Sequence, residues 1–125
     1  MSKDGMFYVP ESQHQAETVC APGEFVFAAV ALDHGHIYGM CAGLVEAGGT
    51  LKWIYDPVTE RAQSLQKQYP EAQLASSLEQ VLSDDTVQLV AAAAITNERG
   101  PLGVRVMQAG KDYFTDKTPF TTLAQ

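Results

Sequence analysis

The stretch Phe25-Val-Phe-Ala-Ala-Val-Ala-Leu-Asp-His-Gly-His36 limits the fold of this chain more than any other. Its first eight residues are apolar without alternation, the mark of a strand covered on both faces. The run breaks at Asp33-His34-Gly35-His36. Ile37, Met40, Cys41, Leu44 and Val45 then follow the i, i+3, i+4, i+7, i+8 spacing of a one-faced helix. Strand, tight turn and helix in that order form the frame on which α/β domains build a phosphate loop of pattern Gly-x-Gly-x-x-Gly. The three glycine positions hold Ala31, Asp33 and His36. The frame is present and its usual chemistry is altered.

Strands and helices alternate from there. Ala47-Gly48-Gly49 ends the first helix, because glycine readily takes the left-handed conformation of a helix C-terminus. Leu51–Tyr55 reads as a strand. Asp56-Pro57 reads as a helix start, with Asp56 as N-cap, a stripe of Val58, Ala62, Leu65 and Tyr69, and Pro70 as the stop. A short strand at Gln73–Ala75, a short helix at Leu78–Leu82 and a strand at Val87–Ala94 follow. Pro101–Ala109 reads as a helix with Leu102, Val106 and Ala109 inward, and Asp112–Thr115 as a last strand. Thr121 opens what reads as another helix, so the chain looks cut from something longer. This order predicts right-handed crossovers and an open, doubly wound parallel sheet in a three-layer α/β/α arrangement. Such sheets bind ligands beyond the C-terminal strand ends, where strand order reverses.

Residues 1–24 read as a polar leader and 25–125 as one domain, a size that supports a single core. The net charge of −7 argues against nucleic acid, which needs a basic face. No apolar run approaches the roughly 20 residues of a membrane span. With no targeting signal in view, the expected location is the cytoplasm. Cys41 falls on the apolar helix face and reads as a reduced core thiol, whereas Cys20, in the leader, could be exposed.

Ala31-Leu-Asp-His-Gly-His-Ile-Tyr-Gly39, Tyr55-Asp-Pro57, Ala109-Gly-Lys-Asp-Tyr-Phe-Thr-Asp-Lys-Thr-Pro119 and Thr121-Thr-Leu123 resemble the N-terminal domain of the glucose–fructose oxidoreductase / inositol dehydrogenase (Gfo/Idh/MocA) family. The third segment is the most specific, being similar to the family's AGK…EKP signature, with Asp116 in place of Glu and Thr118 inserted before Pro119. The resemblance runs from about Phe25 to the C-terminus. It implies a Rossmann domain for NAD(P), and a second α/β domain, absent here, that supplies dimer contacts and much of the substrate site. By the same resemblance Lys117 is the catalytic lysine beside nicotinamide and substrate, and Thr96 and Asn97 border the cofactor. The chain alone would then not turn over substrate.

The residues themselves allow a functional and a plain reading at each position. The loop at Ala31, Leu32, Asp33, His34 and His36 either holds a pyrophosphate through helix amides, helped by Gly35 and Gly39, or is a relic spoiled by the charge of Asp33. Asp56, about twenty residues on, suits a ribose diol and disfavours a 2′-phosphate, or is only a helix cap. Arg61 is a phosphate contact or a solvated helix residue. His34 and His36 supply two metal ligands, but no third is near in sequence, so no metal is expected. Thr96 and Asn97 serve equally as a helix cap, and Asp116 either joins the cofactor-binding residues or forms a plain surface ion pair with Lys117.

The expected protein is therefore the NAD-binding domain, NADP being disfavoured, of an oxidoreductase acting on a sugar-like or polyol substrate. Its expected partners are small molecules, with a homo-oligomer left open. The rival is a non-redox binding or assembly module on the same scaffold.

Overall fold

The computed structural model describes residues 17–125. The first sixteen positions of the polar leader, His14 among them, lie outside the described residues. The elements are β1 (Val26–Val30), α1 (His36–Glu46), β2 (Thr50–Tyr55), α2 (Thr59–Gln66), β3 (Gln73–Leu74), α3 (Leu78–Leu82), β4 (Leu89–Ala92), α4 (Thr96–Gln108) and β5 (Asp112–Thr115). All strand pairs are parallel, in the order β3-β2-β1-β4-β5. The order reverses between β1 and β4, which puts the ligand-binding crevice of such a sheet above those two strands.

Small and β-branched side chains fill the central strands. Phe27, Ala28, Ala29, Val90, Ala91 and Ala92 are wholly buried. One face packs Phe27 and Ala29 with Ile37 and Cys41 of α1 and Ala62 and Leu65 of α2. The other packs Ala28, Val30 and Val90 with Val81 of α3 and Val106 of α4. Two helices per face give the expected three layers. The pairing of β1 with β2 shifts by one residue, from Phe27 opposite Leu51 to Ala28 opposite Trp53, leaving Lys52 as the extra residue of a bulge.

Gly48 ends α1 at φ +107, and a Cβ there would lie 2.8 Å from the Cys20 carbonyl oxygen. That close approach lets the end of the leader pack under the helix, with Val19 N–H donating to Ala47 O at 2.8 Å. Cys20 is thus half-buried, not exposed. Cys41 is fully buried, and burial pushes its thiol pKa up to about 12, which leaves it inert.

Several sequence expectations need correction. The second helix starts at Thr59, because Val58 is extended and Asp56 accepts from Val58 N–H instead of capping. Val45, Val58 and Ala109 are exposed, so those helical stripes are narrower than their apolar residues suggest. The fourth strand is Leu89–Ala92, shorter than Val87–Ala94. Helix α4 begins five residues before Pro101. A proline there removes one N–H that would reach the exposed first turn, at small cost so near the helix start. Its buried face is Arg99, Gly103 and Val106. A Cβ on Gly103 would stand 2.5 Å from Tyr113 Cδ1, so glycine is what lets the Tyr113 ring lie against α4. Residues 121–125 form a single turn, closed by Gln125 N–H to Thr122 O at 3.2 Å, and not a helix.

Candidate functional site

The loop after β1 turns through a left-handed residue that is not a glycine. Ala31 has φ +52, the left-handed region in which a side chain costs about 1–2 kcal/mol. Three hydrogen bonds hold it there. Leu32 N–H donates to Asp56 Oδ2 at 2.7 Å, Ala93 N–H to Ala31 O at 3.1 Å, and His34 N–H to Ala93 O at 2.9 Å. The turn is therefore fixed between the ends of β2 and β4.

Asp56 is the latch on the β2 side. Its side chain is 1% exposed, and its other oxygen accepts from Val58 N–H at 2.8 Å. Arg61 lies 3.8 Å from that oxygen and donates to Asp33 Oδ1 at 2.9 Å. Asp33 is thus the partner of a guanidinium one helix away, and the charge that the sequence set against a phosphate is already paired. Ala31, Asp33, Tyr55, Asp56, Arg61 and Glu98 line a cleft of about 380 Å³ above β1, β2 and β4. This is within the range of small-molecule sites.

His34, His36 and Asp116 meet on the β5 side. His36 Nδ1 lies 2.5 Å from Asp116 Oδ2, and His34 Nδ1 lies 3.9 Å from the same oxygen. The His36 hydrogen bond holds the Asp116 carboxyl below its ordinary pKa. Lys117 N–H donates to Asp116 Oδ1 at 3.0 Å, which fixes the carboxylate so that Oδ2 faces the two rings. One residue earlier, Thr115 Oγ1 is buried with no hydrogen-bond partner, an unusual state for a polar atom.

Thr96 and Asn97 open α4 at the same sheet edge, both exposed, and Lys117 is exposed beyond β5. The segment carrying Lys117 is held by Arg99, which is 4% exposed. Its Nε donates to Ala94 O at 2.7 Å, and its Nη1 donates to the carbonyls of Lys117 and Thr118. Tyr113 OH donates to Arg99 O at 3.0 Å, closing the link between α4 and β5.

No family model matches the chain, and no curated protein matches it. Solved structures do. A candidate oxidoreductase from Erwinia carotovora atroseptica SCRI1043 is 38% identical with a TM-score of 0.77, over 81% of this chain and 30% of that one. The match supports the resemblance to the Gfo/Idh/MocA oxidoreductases. Myo-inositol dehydrogenase from Lactobacillus casei, solved with NAD(H) and myo-inositol, has the same fold at 16% identity and a TM-score of 0.72, over 80% of this chain and 30% of that one. GenD2 from gentamicin A biosynthesis, solved with NAD, gives 21% and 0.68, over 90% and 30%. The chain spans about a third of the length of these structures.

In this Rossmann-like domain the sequence-predicted residues gather into two groups. Leu32 and Asp33 join Asp56, and His34 and His36 join Asp116. Arg99 was missed as part of the site, and Arg61, weighed as a phosphate contact, has a partner the sequence did not show. Arg61 is drawn in by Asp33, a pairing across 28 positions that no local pattern signals. Arg99 is buried, and its signal was visible: it precedes Gly103 and Val106 by four and seven positions on one helix face.

Proposed function

We propose that this chain is the NAD-binding part of an oxidoreductase that passes hydride between NAD(H) and a sugar-like or polyol substrate. The observation that carries this reading is the Ala31 turn, held in its left-handed conformation by Asp56 at the switch point of the sheet. That geometry brings the start of α1 toward the cleft, where helix amides favour a pyrophosphate. Asp56 lines the cleft and has lone pairs beyond the two bonds it accepts, so it suits a ribose diol. Two carboxylates, Asp33 and Asp56, outnumber the single Arg61 guanidinium beside them, which disfavours a 2′-phosphate and supports NAD over NADP. When bound, the dinucleotide supplies the hydride acceptor or donor. Thr96 and Asn97 then border its nicotinamide side, and Lys117 donates to the reacting oxygen.

The lengths of the solved relatives support a further part of the protein that carries the remaining catalytic groups and any subunit contacts. Among the described residues no helix is long and apolar enough to cross a membrane. Two free thiols suit a reducing compartment, in keeping with a cytoplasmic location.

Calorimetric titration with NAD and NADP tests the reading, with Trp53 emission as a second signal. NAD should bind, and NADP should bind at least about tenfold more weakly. Asp33→Gly should tighten NAD binding by removing a carboxylate from the pyrophosphate turn. If neither cofactor binds at about 1 mM, even with Asp33→Gly, the redox reading fails. If binding appears only with Asp33→Gly, the non-redox module becomes the better account, because Asp33 then blocks the site.

A further inference from the structure

We propose that His34, His36 and Asp116 form a binding site for a first-row divalent metal, zinc foremost. The sequence offered two histidines and no third ligand. The fold supplies that ligand from 80 positions away, at the end of β5. One donor atom from each of the three residues lies within 4.8 Å of the other two. The two rings stand edge to face with centroids 4.0 Å apart, and Asp116 Oδ2 is turned toward both.

The donor set and its spacing fit such an ion. Two imidazoles and one carboxylate are a recurrent set for zinc and its neighbours, and they leave coordination positions open for water or a ligand oxygen. Zinc bonds of about 2.0–2.2 Å in a tetrahedral site place donor atoms roughly 3.4 Å apart. The 3.9 Å between His34 and Asp116 is close to that value, and the 2.5 Å between His36 and Asp116 would widen by less than an ångström. Both rings are more than half exposed, and binding through His34 Nδ1 would exchange the bond it accepts from His36 N–H at 3.1 Å for one to the ion. The Asp116 carboxylate is already anchored through Oδ1 by Lys117 N–H, an orienting contact of the kind that metal ligands commonly receive. The alternative is a hydrogen-bonded triad with no affinity for metal.

The test uses the untagged chain without dinucleotide, so its outcome is independent of the NAD reading. The third histidine in the sequence is removed with a His14→Ala background. Calorimetry with Zn²⁺ should give one ion per chain, and Co²⁺ should develop visible absorption bands that Zn²⁺ displaces. His34→Ala, His36→Ala and Asp116→Asn should each weaken Zn²⁺ binding by about tenfold or more, with the far-ultraviolet circular dichroism unchanged. Absence of binding at about 0.1 mM Zn²⁺ overturns the proposal. So does binding that persists unchanged in the three variants.

Discussion

At the N-terminal edge of the sheet, Asp84 accepts from Lys52 Nζ at 2.6 Å, from Trp53 Nε1 at 2.7 Å and from Thr86 Oγ1 at 2.7 Å. At the C-terminal edge, three carboxylates share two half-exposed histidines and one arginine. Both networks bridge elements far apart in sequence, and both are built on carboxylates. They differ in what remains free. The Asp84 network is closed, and the buried Lys111 ammonium staples the backbone next to it by donating to the carbonyls of Asp84 and Val87. The opposite network borders a cleft through Asp33, Asp56 and Arg61 and keeps its two imidazole rings exposed. One edge commits its polar groups to one another, while the other leaves two imidazole rings more than half exposed.

The largest test of this contrast is Asp84→Ala, which should cost about 2–3 kcal/mol of stability and leave NAD binding unchanged. Urea denaturation at pH 7 checks the first part, and calorimetry the second. The pH dependence follows from the hydrogen bonds. Lys52 first, then Thr86 and Trp53, hold the Asp84 carboxyl well below the usual carboxylate range. A pKa lowered in the folded state adds stability that is full above the unfolded value of about 3.9 and is lost as pH falls through the folded one. The wild type should therefore lose stability steeply below about pH 4, and Asp84→Ala should show a shallower acid limb. An unchanged acid limb would show that Asp84 is no different from an ordinary surface carboxylate.

At the other edge, Arg61→Ala should change stability little, since an exposed pair contributes well under about 1 kcal/mol. It should weaken NAD binding several-fold, because Asp33 is left unpaired in the turn after β1. A variant that melts early but binds normally would make the two edges alike. Ala31→Gly removes the left-handed strain but adds freedom to the unfolded chain, so the net gain should be only about 0.5 kcal/mol, read as a slightly higher Tm. Arg105→Ala breaks the exposed ion pair with Glu79, which lies outside both networks, and should leave Tm and binding unaltered.

Periodicity made the sheet legible because each strand–helix alternation is written locally. The apolar stretches Phe25–Leu32 and Val87–Ala94 announced strands that the fold forms, shorter, as Val26–Val30 and Leu89–Ala92, and Leu78–Leu82 and Asp112–Thr115 stand where the pattern put them. Helix starts were less legible. Pro101 and Pro57 looked like first-turn residues, but proline also fits one turn inside a helix or just before it. The site was half legible. The Ala31–His36 turn, Asp56 and Asp116 could be picked out by position. Their partners could not, because the contacts of Asp33 with Arg61 and His36 with Asp116 exist only after the sheet has ordered its strands.

The one-residue bulge at Lys52 sets the timing between the two edges. Beyond it Val30 stands opposite Tyr55, so Asp56 comes level with Ala31 and can reach the Leu32 amide. Unshifted pairing would put Ile54 opposite Val30 and turn every later β2 side chain to the other face. The inserted residue is also the one whose ammonium reaches Asp84. Deleting Lys52 would thus remove a donor from one end of the sheet and put the other end out of phase, a mechanical coupling between the two ends of one strand.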